Sequence, residues 1–300
     1  MSESRGEIVK ALVANILIAA AKGTGAVLSG SGAMLAETLH SLADCGNQIL
    51  LFVGIRSSHK PPDARHPLGH GRAMYFYSFI VALLLFFGGG VFSIHEGVEK
   101  LAHPEHVGDV GVALAILAIS LVLDGFSLAS NLRVMARQRG ERSFWRYLRD
   151  TKDSDLIVVF GENLAGVIGI VVAFASVAIA HATGDGRWDG AGSLAIGLVL
   201  VAVATFLARE VKSLLVGEAA DPAICAHVQA IAAADVDVER VLNIITMQQG
   251  PGEVLVAAKL AYRDGLATAD IVAAINRFER ELKARVPEVR WSFIEPDDHA

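Results

Sequence analysis

Six stretches of this sequence are apolar for about twenty residues each, and that limits its possible folds more than any other feature. A helix needs about 20 mostly apolar residues to cross the hydrocarbon of a bilayer. In lipid every backbone N–H and C=O must be satisfied within the segment, so runs of this kind fold as helices. They cover about residues 8–28, 33–55, 73–94, 110–132, 156–180 and 190–208. Only 19% of the chain is charged, against roughly 25% in soluble domains, and the 53% that is hydrophobic is mostly Ala, Val, Leu and Ile. The 29 glycines suit membrane helices, where small residues let backbones approach closely.

The charges between these runs alternate. The second connection carries Arg56, Lys60, Arg65 and Arg72, and the fourth carries Arg133, Arg137, Arg139, Arg142, Arg146, Arg149 and Lys152. The intervening connections are poor in base, with none at residues 29–32 and then Lys100 and Arg187. A soluble helical protein has no reason for this pattern. The excess of Lys and Arg on cytoplasmic loops places both termini and both basic loops in the cytoplasm, and six spans return the chain to that side. The expected location is a bacterial inner membrane. No small-residue cleavage site follows a short apolar run, so no removable signal peptide is expected. Cys45 and Cys225 make neither a disulfide framework nor a CxxC pair. A net charge of −6 argues against nucleic-acid binding.

After Arg209 the pattern becomes that of a small soluble domain. Asp221-Pro222 opens a helix, since proline is tolerated in the first turn. Residues 241–248 and 253–262 alternate as strands around the turn Gln249-Gly250-Pro251-Gly252. Residues 268–286 have helical periodicity, and 289–294 form a last strand. The expected architecture is a six-helix, all-α transmembrane domain over 1–212. A cytoplasmic α+β domain over 213–300 follows, ferredoxin-like, with the order α-β-β-α-β.

Ionisable residues inside a membrane span are costly and point to function. In the second run Glu37, His40 and Asp44 fall in one helical stripe, continued by Asn47 and Gln48. An imidazole and a carboxylate four residues apart can hold one small cation together, and the alternative is a His–Asp hydrogen bond that tightens packing. The fifth run offers partners, with Glu162 in its interior, Asn163 next to it, and Asp155 nearer the cytoplasmic end. Ala165, Gly166 and Gly169 would let the second run come close. One histidine with carboxylates suits zinc, manganese, iron(II) or cobalt(II) better than copper(I). Asp124, in the fourth run, is either a further ligand or the partner of Lys22. Asp63, His66 and His70, in the second connection, form a second candidate site or a solvated loop.

Four stretches bring a family into view. Residues 31–44 read SGAMLAETLHSLAD, 66–72 HPLGHGR, 94–101 IHEGVEKL and 123–128 LDGFSL. With them the chain resembles the cation diffusion facilitator family of metal–proton antiporters, in the branch of the zinc transporter nine type and its bacterial relatives. The resemblance covers nearly the whole chain. It implies a homodimer and a transport site that pairs an H/D-x-x-x-D motif on span two with another on span five. His40 and Asp44 match the first motif, which leaves Glu37 as a neighbour that relays protons or orients His40. Span five departs from the pattern. Residues 158–163 read VVFGEN, so valine holds the first position and Glu162 or Asn163 the second. The positions at which some members bind metal in the tail fall on Asn243, Lys259, Phe293 and Glu295, so the tail is expected to dimerise without metal. His227 and His299 are read as solvated.

The expected function is proton-coupled efflux of a divalent cation, zinc first, by alternating access, with no enzyme chemistry and no cofactor apart from the transported ion. Ligands must lose their protons to bind metal, which links the two fluxes. The rival readings are a non-transporting scaffold or regulator with a relic metal site, and a metal-gated channel.

Overall fold

The computed structural model describes residues 2–108, 110–151 and 153–298; the side chains of 1–11, 14, 109, 149, 150, 152, 155, 299 and 300 lie outside that description. The chain divides into two compact units. One comprises residues 1–53, 77–148 and 155–211, and the other 54–76, 149–154 and 212–300.

The first unit is helical. Its helices are α1 (Ser2–Ser29), α2 (Gly32–Ser58), α3 (Ala73–Ala102), α4 (Val110–Arg139), α5 (Phe144–Asp150), α6 (Ser154–Thr183) and α7 (Arg187–Val216). The ends of α2, α3, α5, α6 and α7 run into the second unit. Among the described residues four helices are long and apolar enough to cross a membrane: α3, α4, α6 and α7. In α2 the stripe Glu37, His40 and Asp44 dilutes the apolar character. The helices outrun the apolar stretches read from sequence by up to eight residues, as α3 does from 94 to 102, because a helix continues where its side chains turn polar.

Two local devices set the positions of these helices. At the start of α2, Gly30 takes a left-handed conformation (φ +65°) that turns the chain back from α1. Ser31 caps the new helix by accepting from Met34 N–H at 3.1 Å. The buried Asp189 of α7 accepts from Ser31 Oγ at 2.5 Å, Gly32 N–H at 2.6 Å and Ala33 N–H at 3.3 Å. Lys100 of α3 completes the knot at 3.4 Å from the Asp189 carboxylate. Where α3 crosses α7, the backbones meet at Gly97 and Gly197. A Cβ on Gly97 would stand 2.5 Å from Leu194 N, and one on Gly197 would stand 2.7 Å from Ile94 N. Residues 85–91 of α3, with three successive glycines, form a π-helical turn.

The second unit holds α8 (Pro222–Ala234), β1 (Val238–Gly250), β2 (Glu253–Tyr262), α9 (Thr268–Arg285) and β3 (Val289–Pro296). The sheet order is β1-β2-β3, with β1 antiparallel and β3 parallel to β2. Alternate residues of β2, such as Val254, Val256, Ala258 and Leu260, are buried with Ile224, Val228 and Ile231 of α8 and Phe278 and Leu282 of α9. Ile245 of β1 and Phe293 of β3 are exposed. Asp221 caps α8 by accepting from Ala223 N–H at 2.8 Å, with Pro222 in the first turn.

Candidate metal site between α2 and α6

The polar stripe of α2 faces inward. Glu37, His40 and Asn47 are buried, and Asp44 is mostly buried. Among the described residues neither ring nitrogen of His40 has a hydrogen-bond partner. Its Nδ1 lies 3.7 Å from Asp44 Oδ1, too far for a hydrogen bond and suitable for two ligands of one ion. A buried polar group left without a partner costs about 1–3 kcal/mol, a cost that ligation of a cation would offset.

The small residues of α6 admit the stripe. A Cβ on Gly166 would stand 3.2 Å from His40 Nε2, and one on Gly169 would collide with Glu37 Oε1. Glu162 accepts a hydrogen bond from Asn47 Nδ2 at 2.6 Å, which points it at α2. Asp44, Glu162 and Asn163 line a cavity of about 290 Å³ together with Asn15, Asp124 and Val159. Both Glu162 and Asn163 thus reach the cavity, and Val159 lines it with Ile18 and Leu51.

Glu37 is committed elsewhere. Lys22 of α1 donates to its Oε2 at 3.0 Å, and Asp124 Oδ2 of α4 is 3.8 Å from the same ammonium. The nearer partner of Lys22 is therefore Glu37, and Asp124 is shared between Lys22 and the cavity. The Asp155 side chain lies outside the described residues.

In the second unit Asp63, His66 and His70 come together, each offering one ligand atom within 4.8 Å of the others. Asp63 accepts from the N–H groups of His66 (2.7 Å) and Arg65 (2.8 Å), which hold its carboxyl below the usual range. His66 Nδ1 is 3.3 Å and His70 Nε2 3.5 Å from the carboxylate. On the sheet, Asn243, Lys259, Phe293 and Glu295 line one groove, where Lys259 pairs with Asp297 at 2.6 Å and Glu295 at 3.3 Å. The sequence reading did not single out Asp189 or the Asn47–Glu162 bond. Asn47 stands in the stripe read from the sequence, but its bond to Glu162 is visible only in the fold. An acid beside the Gly-rich start of the sixth run was the signal for Asp189.

Apolar helices of spanning length, with the carboxylates of Asp44, Asp124 and Glu162 lining a cavity among them, define an integral membrane protein. A family description, the cation efflux transmembrane domain, matches residues 8–216. The chain belongs to the cation efflux family. It is 31% identical to the proton-coupled zinc antiporter SLC30A9, mitochondrial, of Xenopus laevis, over 90% of this chain and 55% of that protein. It is 28% identical to metal tolerance protein C4 of Arabidopsis thaliana, over 92% of this chain and 61% of that protein. It is 33% identical to magnetosome protein MamM of Paramagnetospirillum magneticum, over 39% of this chain and 38% of that protein. The chain spans about half the length of the curated SLC30A9 relatives it matches.

Proposed function

We propose that the protein moves a divalent cation, zinc first, out of the cytoplasm in exchange for protons. The observation that carries this reading is buried His40, both ring nitrogens unpartnered, beside Asp44 and next to the cavity that Glu162 enters. The ligand set is His40, Asp44 and Glu162, with the Asn163 amide as the weakest member. It matches a borderline cation. Metal binding requires a neutral imidazole and ionised carboxylates, so protons arriving from the far side displace the ion. The printed name of the Xenopus relative, a proton-coupled zinc antiporter, supports the same cargo and coupling.

Six spans belong to this proposal, with α1 and α2 as the two beyond the four clear ones and both termini on the cytoplasmic side, as the basic connections require. So does a homodimer through the open face of the sheet. The loop group Asp63, His66 and His70 is then a second, cytoplasmic metal site. The test is zinc-driven proton flux into proteoliposomes. The wild-type chain shows saturable flux that depends on a pH gradient, and His40→Ala with Asp44→Ala abolishes it. Unchanged zinc flux in the double variant refutes the site. A non-transporting scaffold is the second reading, favoured by Val159 and Asn163 at the cavity where stronger ligands could stand. Intact dimers that bind no divalent ion would establish it.

A further inference from the structure

Lys22, Glu37 and Asp124 form a charged group adjoining the stripe, and the transport reading gives it no part. Lys22 is buried on α1 and Glu37 on α2, with the ammonium 3.0 Å from Glu37 Oε2. Asp124 differs from Glu37. It is only 3.8 Å from the ammonium, and it lines the cavity of Asp44 and Glu162. The point where a Cβ on Gly166 would stand is 3.2 Å from His40 Nε2 and 3.9 Å from Asp124 Oδ2. The glycine therefore leaves a gap, with an unpartnered imidazole nitrogen on one side and a carboxylate oxygen on the other. His40 presents its Nδ1 edge to Asp44 and its Nε2 edge to this gap.

We propose that Asp124 is a further ligand of the transported divalent ion, in the cavity it lines with Asp44, Glu162 and Gly166, and that Lys22 is a tethered cation that holds Asp124 while the ion is absent. The inference rests on the transport reading above. Lys22 and a dication compete for the same oxygen, Asp124 Oδ2. The dication brings twice the charge to it, and Lys22 keeps Glu37 as counter-ion when it yields, so the exchange strands no buried charge. The cavity then offers three carboxylates beside His40, a harder set than His40, Asp44 and Glu162 alone. That shifts preference toward cations that favour oxygen ligands, manganese and iron(II) among them. Lys22 makes the site weaker than its ligands would otherwise be, which suits an ion that must also leave.

The experiment is calorimetric titration of zinc chloride into the full-length protein in detergent, with the melting temperature recorded for each variant. Asp124→Asn and Gly166→Ala should each weaken zinc binding about tenfold or more. Lys22→Met with Glu37→Gln removes both partners of the buried pair and should tighten binding about tenfold. That gain should vanish when Asp124→Asn is added. Wild-type affinity in Asp124→Asn, or in the Lys22→Met/Glu37→Gln protein, overturns the proposal even where another variant fails to fold. If the wild type binds zinc, His40→Ala/Asp44→Ala loses it, and these variants all match the wild type, this inference falls and the transport reading stands. A wild type that binds no zinc overturns both.

Discussion

His40 is a buried imidazole with no hydrogen bond at either ring nitrogen among the described residues. A leucine of similar reach would bring no unsatisfied polar atoms into the same space. His40→Leu should therefore melt in detergent at or above the wild-type temperature while losing zinc affinity by at least about a hundredfold. A matching loss of stability would instead mean that the imidazole is a packing residue. Asn47 aims Glu162 by its 2.6 Å hydrogen bond, so Asn47→Ala should weaken zinc binding about tenfold and leave helix content unchanged by circular dichroism. The stripe itself was legible in the sequence, because residues three and four apart share a helix face whatever surrounds the helix. The Asn47–Glu162 bond was not, since it joins residues 115 apart and depends on how α2 and α6 rotate against each other. The same holds for Lys22: its choice of Glu37 over Asp124 is settled by 3.0 Å against 3.8 Å, a difference no spacing rule contains.

Among the elements, α2 carries His40 and Asp44, and Asp189 anchors its first turn. That carboxylate accepts from three donors at the start of α2 and pairs with Lys100. Asp189→Ala removes a cap and leaves Lys100 short of its buried partner, which together cost about 2–4 kcal/mol. The expected result is a clear fall in melting temperature with Asp189→Asn intermediate, read by circular dichroism in detergent. The positions of α3, α4, α6 and α7, though not their full lengths, followed from the apolar runs, because a single segment in lipid satisfies its own backbone as a helix. Which helices touch did not follow. The crossing of α3 and α7 at Gly97 and Gly197 is a matter of which glycines face each other, and both helices contain several. In the tail, turn residues and alternation located β1 and β2. β1 begins three residues before the alternating segment read from sequence, because pairing with β2 carries it back to Val238.

For the molecule as a whole, the second unit supplies a test that depends on pH. Arg277 donates to Asp235 at 3.0 and 2.6 Å and to Asp237 at 2.8 Å, and these bonds hold the Asp235 carboxyl below its usual range. A depressed carboxyl stabilises the fold at pH values above its unfolded pKa, near 4, and that stabilisation disappears as the pH falls through the lower folded value. Because Arg277 is partly exposed, the effect is screened to about 1 kcal/mol. Asp235→Asn should lower protection of β1 in hydrogen exchange at pH 7 and bring it level with the wild type at about pH 2–3. Assembly is tested at the exposed face of the sheet: Phe293→Asp in the full chain should turn dimers into monomers by light scattering, and persistence of dimers would place the interface elsewhere.

Whether the transported ion rests between α2 and α6 is tested most directly by anomalous scattering from crystals soaked in zinc. The expected result is a peak within about 2.0–2.2 Å of His40 and of the carboxylates of Asp44 and Glu162. A peak at Asp63, His66 and His70 alone, with none beside His40, would contradict it.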